Sequence, residues 1–189
     1  NAEIFCIGTE LENFVKERPE DWYKLITKIK TTYKGKLTYA ANWDEFKRTS
    51  FWSALDFIGI DAYFPVSDNQ TPSIADCKAG WQAHKRAITS VSKKYDKLIL
   101  FTEYGYRSVD FTGKEPWVSS RSMTSLNFDG QSNATQALFE EFWNEDWFAG
   151  GFIWKWFHAH DEVGGDQDNQ FTPQNKPVEK IIKNIYKNH

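Results

Sequence analysis

One short apolar run, Phe57-Ile58-Gly59-Ile60-Asp61-Ala62-Tyr63, has the composition of a strand buried on both faces and carries polar groups only towards its end. β-Branched and aromatic residues favour strands, and a run without polar alternation is typical of a parallel sheet. Four more runs of this kind lie at 4–8, 37–41, 98–102 and 151–156. The sequence therefore predicts five buried parallel strands.

Helical patterns alternate with these runs. We expect a first helix capped by Asp21, a second started by Pro72-Ser73, a third after Asn133 and a last one over 178–186. Apolar residues recur in them at helical spacing, namely Trp22, Leu25, Ile29 and Tyr33, then Ile74, Cys77, Trp81, His84, Ile88, Val91 and Tyr95, then Ala134, Ala137, Leu138 and Phe142. Alternation of strands and helices predicts right-handed βαβ units and an α/β fold.

Counting the units favours a (β/α)8 TIM barrel. Such a barrel has eight strands in about 250 residues, whereas this chain has 189 residues and five predicted strands. We expect residues 1–189 to be the C-terminal part of one barrel domain that contains strands 4 to 8, with the missing half on the same or another chain. The alternative is an independent open α/β sheet of five strands.

Composition narrows the class of partner. A net charge of -3 gives no reason to expect nucleic acid, and no apolar run reaches the roughly 18 residues of a membrane span. A neutral ligand fits better, and the 17% aromatic content with 9 Trp is compatible with rings that stack on sugars. Cys6 and Cys77 are expected to be free, buried thiols, and the lysines from Lys176 to Lys187 to be solvated.

Polar and aromatic side chains follow the predicted strands, and barrel enzymes build their active sites at the carboxyl ends of strands. Two of these side chains are carboxylic acids, Glu10 after the first strand and Glu103 after the fourth. The other candidates, which we expect to bind substrate, are Asn42, Trp43, Asp61, Tyr63, Trp154 and Trp156.

Two facing carboxyl groups are the residue types that glycosidic bond cleavage requires, one to give a proton and one to attack or stabilise the sugar carbon. A retaining reaction needs them about 5–5.5 Å apart. The charge of Glu103 is expected to raise the pKa of Glu10, and Tyr63 to donate a hydrogen bond to Glu103. This chemistry needs no cofactor and no metal.

Several motifs in order resemble those of glycoside hydrolase family 113, the β-mannanase-type TIM-barrel enzymes of clan A. The motifs run from the first predicted strand to the last helix: Ile7-Gly8-Thr9-Glu10-Leu11, Tyr39-Ala40-Ala41-Asn42-Trp43, Asp56-Phe57-Ile58-Gly59-Ile60-Asp61-Ala62-Tyr63-Phe64-Pro65, Phe101-Thr102-Glu103-Tyr104-Gly105-Tyr106 and Phe171-Thr172-Pro173-Gln174-Asn175-Lys176-Pro177.

The resemblance implies specific roles. Glu10 would be the general acid/base and Glu103 the nucleophile of a retaining, endo-acting enzyme on a β-1,4-linked polysaccharide, with mannan or glucomannan favoured. Trp154 or Trp156 would form the floor of the subsite that holds the reacting sugar. Thr9 stands where many members of the clan carry an Asn that binds the sugar 2-hydroxyl.

Two other functions stay open at this stage. One is a catalytically incompetent barrel fragment that serves as a carbohydrate-binding or structural domain. The other, much weaker, is a metal-dependent hydrolase built on His158 and His160, whose spacing alone is a poor zinc signature. The acidic stretch 166–169 lacks the Gly and Glu of a calcium loop at the required positions.

Overall fold

The computed structural model describes residues 2–120 and 123–188, which divide into two compact units. Unit 1 comprises Asn1–Ala62, Arg86–Glu103 and Asp146–Gly151, and unit 2 comprises Tyr63–Lys85, Tyr104–Glu145 and Phe152–His189. No helix in these described ranges is both long enough and apolar enough to cross a membrane.

A five-stranded sheet is the main feature of the chain, with strands in sequence order from β1 to β5. The strands are β1 Ile4–Thr9, β2 Lys36–Asn42, β3 Phe57–Asp61, β4 Leu98–Tyr104 and β5 Phe148–Ile153. The pairs β1–β2, β2–β3 and β3–β4 are parallel. The predicted α/β fold is confirmed, because strands alternate with helices in a succession that matches part of a (β/α)8 barrel.

In the part of the chain that the structure describes, five α-helices connect or follow the strands: α1 Glu12–Glu17, α2 Pro19–Thr32, α3 Ile74–Tyr95, α4 Phe128–Phe142 and α5 Pro177–Lys187. The start of α3 agrees with the prediction. Ser73 donates its N–H and its hydroxyl to the carboxylate of Asp76, and the N–H of Asp76 donates to the Ser73 hydroxyl oxygen at 3.1 Å. This reciprocal arrangement satisfies donors that a helix start leaves unpaired.

Two predicted helix starts are wrong. Asp21 is not a cap: α2 begins at Pro19, and Asp21 lies in its first turn, where it forms ion pairs with Arg18 and Lys24. Helix α4 begins at Phe128, where the side chain of Asn127 accepts a hydrogen bond from the N–H of Gly130 at 2.8 Å. The sequence did not indicate this start, because the first turn of α4 is polar and the apolar residues at helical spacing begin only at Ala134.

The last strand also differs from the prediction. β5 spans Phe148–Ile153, so Trp154 and Trp156 follow the strand instead of belonging to it. Glycine usually weakens strands, and the pair Gly150-Gly151 therefore masks a strand that begins before it. The N–H of Ile99 donates to the carbonyl of Trp147 at 2.9 Å, which anchors that earlier start beside β4.

Many of the large aromatic residues lie in the core. In unit 1, Trp22 stacks on Phe51 at 5.0 Å and meets Tyr39 edge-on at 5.2 Å, and Trp52 has no exposed surface. In unit 2, Trp81 is fully enclosed. A large part of the aromatic content therefore serves packing. Cys77 is buried as expected, but Cys6 is exposed, and both are free thiols.

Candidate active site

In unit 1, the carboxyl ends of the strands bring four candidate residues to one edge of the sheet. Asn42 pairs in register with Asp61, and Asp61 pairs with Glu103. The N–H of Glu10, which follows β1 directly, donates to the carbonyl of Ala40 at 2.9 Å. Because partners in register on parallel strands lie side by side, Asn42, Asp61 and Glu103 form a row.

β1, which Glu10 follows, and β4, which contains Glu103, each have one extra residue relative to the neighbouring strand. On β1, three steps from Cys6 to Thr9 face two steps from Thr38 to Ala40 on β2. On β4, two steps from Phe101 to Glu103 face one step from Ile60 to Asp61 on β3. Such bulges change the direction in which the following side chains point and occur often beside active sites.

The acidity of Glu10 is set by its surroundings. Partial burial raises the pKa of Glu10, and the negative charges of Glu103 and Asp44 raise it further. Each cause disfavours the ionised form, because the carboxylate loses hydration and gains repulsion. Glu10 is still exposed to solvent, so its carboxyl group is accessible.

Asp61 is enclosed completely, with no exposed surface. Its Oδ1 accepts a hydrogen bond from the Thr102 hydroxyl at 2.7 Å, and its Oδ2 has no hydrogen-bond partner. Burial raises the pKa of Asp61 to about 7 against the hydrogen bond from Thr102, with further contributions from the charges of Glu103, Glu10 and Glu45. A carboxyl without surface offers nothing for a sugar to touch in this conformation, in contrast to the contact expected from its strand-end position.

Asn42 and Trp43 are partly buried at the end of β2. The side-chain oxygen of Asn42 accepts a hydrogen bond from the N–H of Trp43 at 2.8 Å, and its carbonyl accepts one from the N–H of Glu45 at 2.9 Å. These bonds turn the chain sharply after β2 and hold Trp43 at the sheet edge.

Two residues of this region are not found by reading strand ends. Glu45 is 1% exposed, and its carboxylate accepts a hydrogen bond from the hydroxyl of Tyr39, which is itself fully buried. In the sequence, Glu45 has the appearance of a solvated charge in a polar turn, and Tyr39 that of an ordinary strand residue. Nothing in the sequence relates the two, because a tertiary turn brings them together.

In unit 2, the aromatic candidates differ in exposure. Tyr63 is 7% exposed and its ring meets Phe171 edge-on, whereas Trp154 and Trp156 are 40% and 48% exposed. The ring of Trp156 lies 6.2 Å from that of His160. The two tryptophans therefore present ring surface that a ligand can contact, while the hydrogen bond expected between Tyr63 and Glu103 stays a prediction.

The motif at 171–177 fixes the segment that carries these tryptophans. Gln174 has no exposed surface and binds both backbone groups of Phe157, accepting from its N–H at 2.6 Å and donating to its carbonyl at 3.0 Å. The Lys176 ammonium, predicted to be solvated, is instead fully buried and pairs with Asp168 at 2.7 Å. A buried cation persists only where such partners compensate its lost hydration.

The two histidines considered for a metal site have other contacts or exposure. His160 pairs with Glu179 at 2.7 Å, which raises the pKa of the imidazole, and His158 is exposed. Across residues 2–120 and 123–188, no group of three or more His, Cys, Asp or Glu side chains has the arrangement to hold a metal ion.

Solved structures similar to this chain include two described as GH113 β-1,4-mannanases. One, a complex, has 25% identity and a TM-score of 0.85, and the other has 26% identity and a TM-score of 0.81. The match covers 100% of this chain and 57% of each mannanase. The chain thus spans little more than half the length of these relatives.

More distant similarities extend the same fold. A GH113 β-mannanase from Alicyclobacillus acidocaldarius, in complex with ManMIm, matches at 24% identity with a TM-score of 0.82 over 99% of this chain and 56% of its own. A β-glucuronidase from Ruminococcus gnavus matches at 14% identity with a TM-score of 0.71 over 99% of this chain and 32% of its own. No protein of curated function matches in sequence.

The sequence profile of Glycoside Hydrolase Family 113 matches residues 1–176. That range includes Glu10, Glu103 and every other candidate residue named above. It also extends over both units and ends within the motif that holds the tryptophan segment. This chain belongs to glycoside hydrolase family 113.

Proposed function

We propose that this chain carries the catalytic pair of a retaining, endo-acting hydrolase of β-1,4-linked mannan or glucomannan, with Glu10 as general acid/base and Glu103 as nucleophile. Membership of family 113 and the likeness to two β-1,4-mannanases support the reaction class and the sugar. The observation that carries the assignment of roles is the environment of Glu10 at the sheet edge, where burial and the charge of Glu103 raise the pKa of Glu10.

The proposed reaction has two steps. Glu10 gives its proton to the glycosidic oxygen while the Glu103 carboxylate attacks the anomeric carbon, so the bond to the leaving sugar breaks and a glycosyl ester forms. Glu10, now ionised, takes a proton from water as the water oxygen attacks the same carbon and releases Glu103. Two inversions leave the product with the configuration of the substrate.

Residues of unit 1 and residues of unit 2 are each proposed to contact substrate. Asn42 and Trp43 lie at the sheet edge of unit 1, and the exposed rings of Trp154 and Trp156 in unit 2 are suited to stack on the C–H faces of sugars. Tyr63 is proposed as a donor to Glu103. Further βα units, in the same chain or another, are proposed to complete the cleft, since the mannanases are longer than this chain.

The test is sugar release from mannan, glucomannan and cellulose oligomers by the protein at its full natural length. Glu103→Ala is expected to lower hydrolysis by at least about a thousandfold and to leave oligosaccharide binding nearly unchanged, because the nucleophile acts on bonding in the transition state. Glu20→Ala, on the exposed surface of α2, is the control and should retain full activity.

A small external nucleophile separates the two roles. With azide and an activated mannoside, Glu103→Ala should give the α-glycosyl azide after one inversion, and Glu10→Ala should give the β-glycosyl azide after two. The anomeric configuration is read by NMR. If the wild-type protein binds oligosaccharides but releases no sugar, the catalytically incompetent binding domain is the correct alternative.

A further inference from the structure

The backbone at Glu10 adopts a conformation that few side chains tolerate. Its φ is +50°, in the left-handed region, which a residue with a Cβ occupies only when neighbouring contacts hold it there. Glu10 also comes directly after the bulged part of β1. The direction of its side chain therefore depends on whatever fixes the peptide groups on either side of it.

Two hydrogen bonds fix those groups. On one side, the N–H of Glu10 donates to the carbonyl of Ala40 at 2.9 Å. On the other side, the N–H of Leu11 donates to the hydroxyl oxygen of Tyr39 at 2.7 Å. The second bond is unusual because a side chain from β2, rather than its backbone, supports the turn that follows β1.

The Tyr39 hydroxyl is held in turn by Glu45. It donates to Oε1 of Glu45 at 3.2 Å, and Oε2 of Glu45 accepts from the N–H of Asn42 at 3.4 Å. Tyr39 and Glu45 are 0% and 1% exposed. A buried carboxyl is costly unless its oxygens are satisfied, and burial is the first cause that raises the pKa of Glu45.

The ring of Tyr39 supports the same segment from below. It packs against Trp22 at 5.2 Å and Phe51 at 5.5 Å, which leaves it little freedom to rotate. A Cβ placed on Gly8 would lie 3.4 Å from this ring and 2.9 Å from the Trp22 ring. The end of β1 therefore packs closely against the rings of Tyr39 and Trp22, and only glycine at position 8 allows that approach.

We infer that Tyr39 and Glu45 are positioning residues for the general acid, acting through the chain Glu45–Tyr39–Leu11 that fixes the peptide after Glu10. This inference rests on the proposed function, in which Glu10 protonates the leaving oxygen. It assigns catalytic importance to two buried residues that contact no substrate. Misplacement of Glu10 by a fraction of an ångström slows the steps in which it gives or takes a proton. With a leaving group that needs no proton, kcat/KM is spared, because kcat/KM then reports only the first step, which proceeds without the proton of Glu10.

Tyr39→Phe is the direct test, because it removes the hydroxyl and keeps the ring. On mannooligosaccharides, kcat/KM is expected to fall by about 10- to 100-fold, within the range that general acid catalysis contributes. On 2,4-dinitrophenyl β-mannoside, whose leaving group needs no proton, kcat/KM is expected to change by less than about threefold. The basic limb of the pH profile should move to lower pH as Glu10 becomes better solvated.

Variants of Glu45 form the second arm. Glu45→Gln keeps an acceptor for the Tyr39 hydroxyl and gives up only the long hydrogen bond, at 3.4 Å, from the N–H of Asn42. It should remain within about threefold of wild type, whereas Glu45→Ala should reproduce the loss seen in Tyr39→Phe. The matched control is Tyr23→Phe, which removes a hydroxyl that donates to the carbonyl of Ser50 at 3.0 Å and should leave both substrates unaffected.

The outcomes are separable. Equal losses on both substrates in Tyr39→Phe and Glu45→Ala, or no loss on either, overturn the positioning role while the wild-type activity upholds the proposed function. If Tyr39→Phe does not fold, the contrast between Glu45→Gln and Glu45→Ala decides. A wild-type protein that cleaves neither substrate overturns the proposed function and this inference together.

Discussion

At the scale of single residues, the carboxyl of Asp61 is expected to make the stability of the fold depend on pH. It is fully buried, holds one hydrogen bond from Thr102, and lies within the fields of Glu10, Glu45 and Glu103. A pKa of about 7 means that folding favours its neutral form. Ionisation therefore opposes folding, as it does for any acid whose pKa rises on burial.

Asp61→Asn should remove this pH dependence. In the wild type, the contribution of neutral Asp61 is fully present below the unfolded pKa of 3.8 and is lost as pH rises through about 7. Between pH 4 and pH 8, the difference in free energy of unfolding should therefore change in favour of Asp61→Asn over the wild type. The change should be at most about 4 kcal/mol, because the pKa of Asp61 is raised by roughly three units.

Urea unfolding at pH 4, 6 and 8 measures this difference. The control is Asp68→Asn, an equal change of charge at an exposed position, which should give the same offset at all three values. If the difference in free energy of unfolding between Asp61→Asn and the wild type is the same at all three pH values, folding does not raise the pKa of Asp61.

The sequence was sufficient to place residues at the carboxyl ends of strands, such as Glu10, Asn42 and Glu103. It missed Glu45 because burial of a carboxylate depends on Tyr39, six residues earlier on a different element. It also missed Lys176, whose burial depends on Asp168 and Ser108. Polar residues that satisfy each other in the interior have no periodicity that a sequence displays.

At the scale of elements, the interiors of the strands were predictable because they are continuous apolar runs. The bulges in β1 and β4 were not, since a bulge is a property of a strand pair and not of one strand. The same reason explains the error at β5, where pairing beside β4 begins ahead of Gly150-Gly151. Register, which aims the glutamates, therefore had to come from the structure.

The start of α4 gives a prediction at this scale. Asn127 caps the helix through Gly130 and also donates to Thr71 and Asp110, at 2.7 and 2.8 Å. Asn127→Ala is expected to lower the free energy of unfolding by about 2 kcal/mol, the sum of a lost cap and unpaired buried groups. Thermal and urea unfolding measure it. The control is Asn144→Ala, at an exposed position after the helix, which should change the free energy of unfolding by less than about 0.5 kcal/mol. Equal effects of the two variants would show that Asn127 does not cap α4.

At the scale of the whole molecule, the distribution of charge bears on which sugars the proposed site would accept. The net charge is -3, and the sheet edge of unit 1 carries the acidic residues Glu10, Asp44, Asp61 and Glu103. In unit 2 the guanidinium of Arg107 is buried and bound to Ser120 and Asn169. Under the proposed function, the acidic groups at this sheet edge oppose a uronic acid bound beside them. Lys155, whose ammonium lies 5.6 Å from the centre of the Trp154 ring, is a cation that acts against this preference.

A β-D-glucuronide is therefore expected to be a poor substrate of the proposed enzyme. Repulsion of one added carboxylate by a nearby charge is worth about 1 to 4 kcal/mol, so kcat/KM for nitrophenyl β-D-mannoside should exceed that for the glucuronide by about 100-fold. The neutral β-D-glucoside and the methyl ester of the glucuronide are the controls, because they separate ring configuration from charge. If charge is the cause, the ester should recover most of the loss and added salt should narrow the difference. Equal rates for the ester and the free acid would show instead that the shape of the cleft, rather than its acidic edge, selects the sugar.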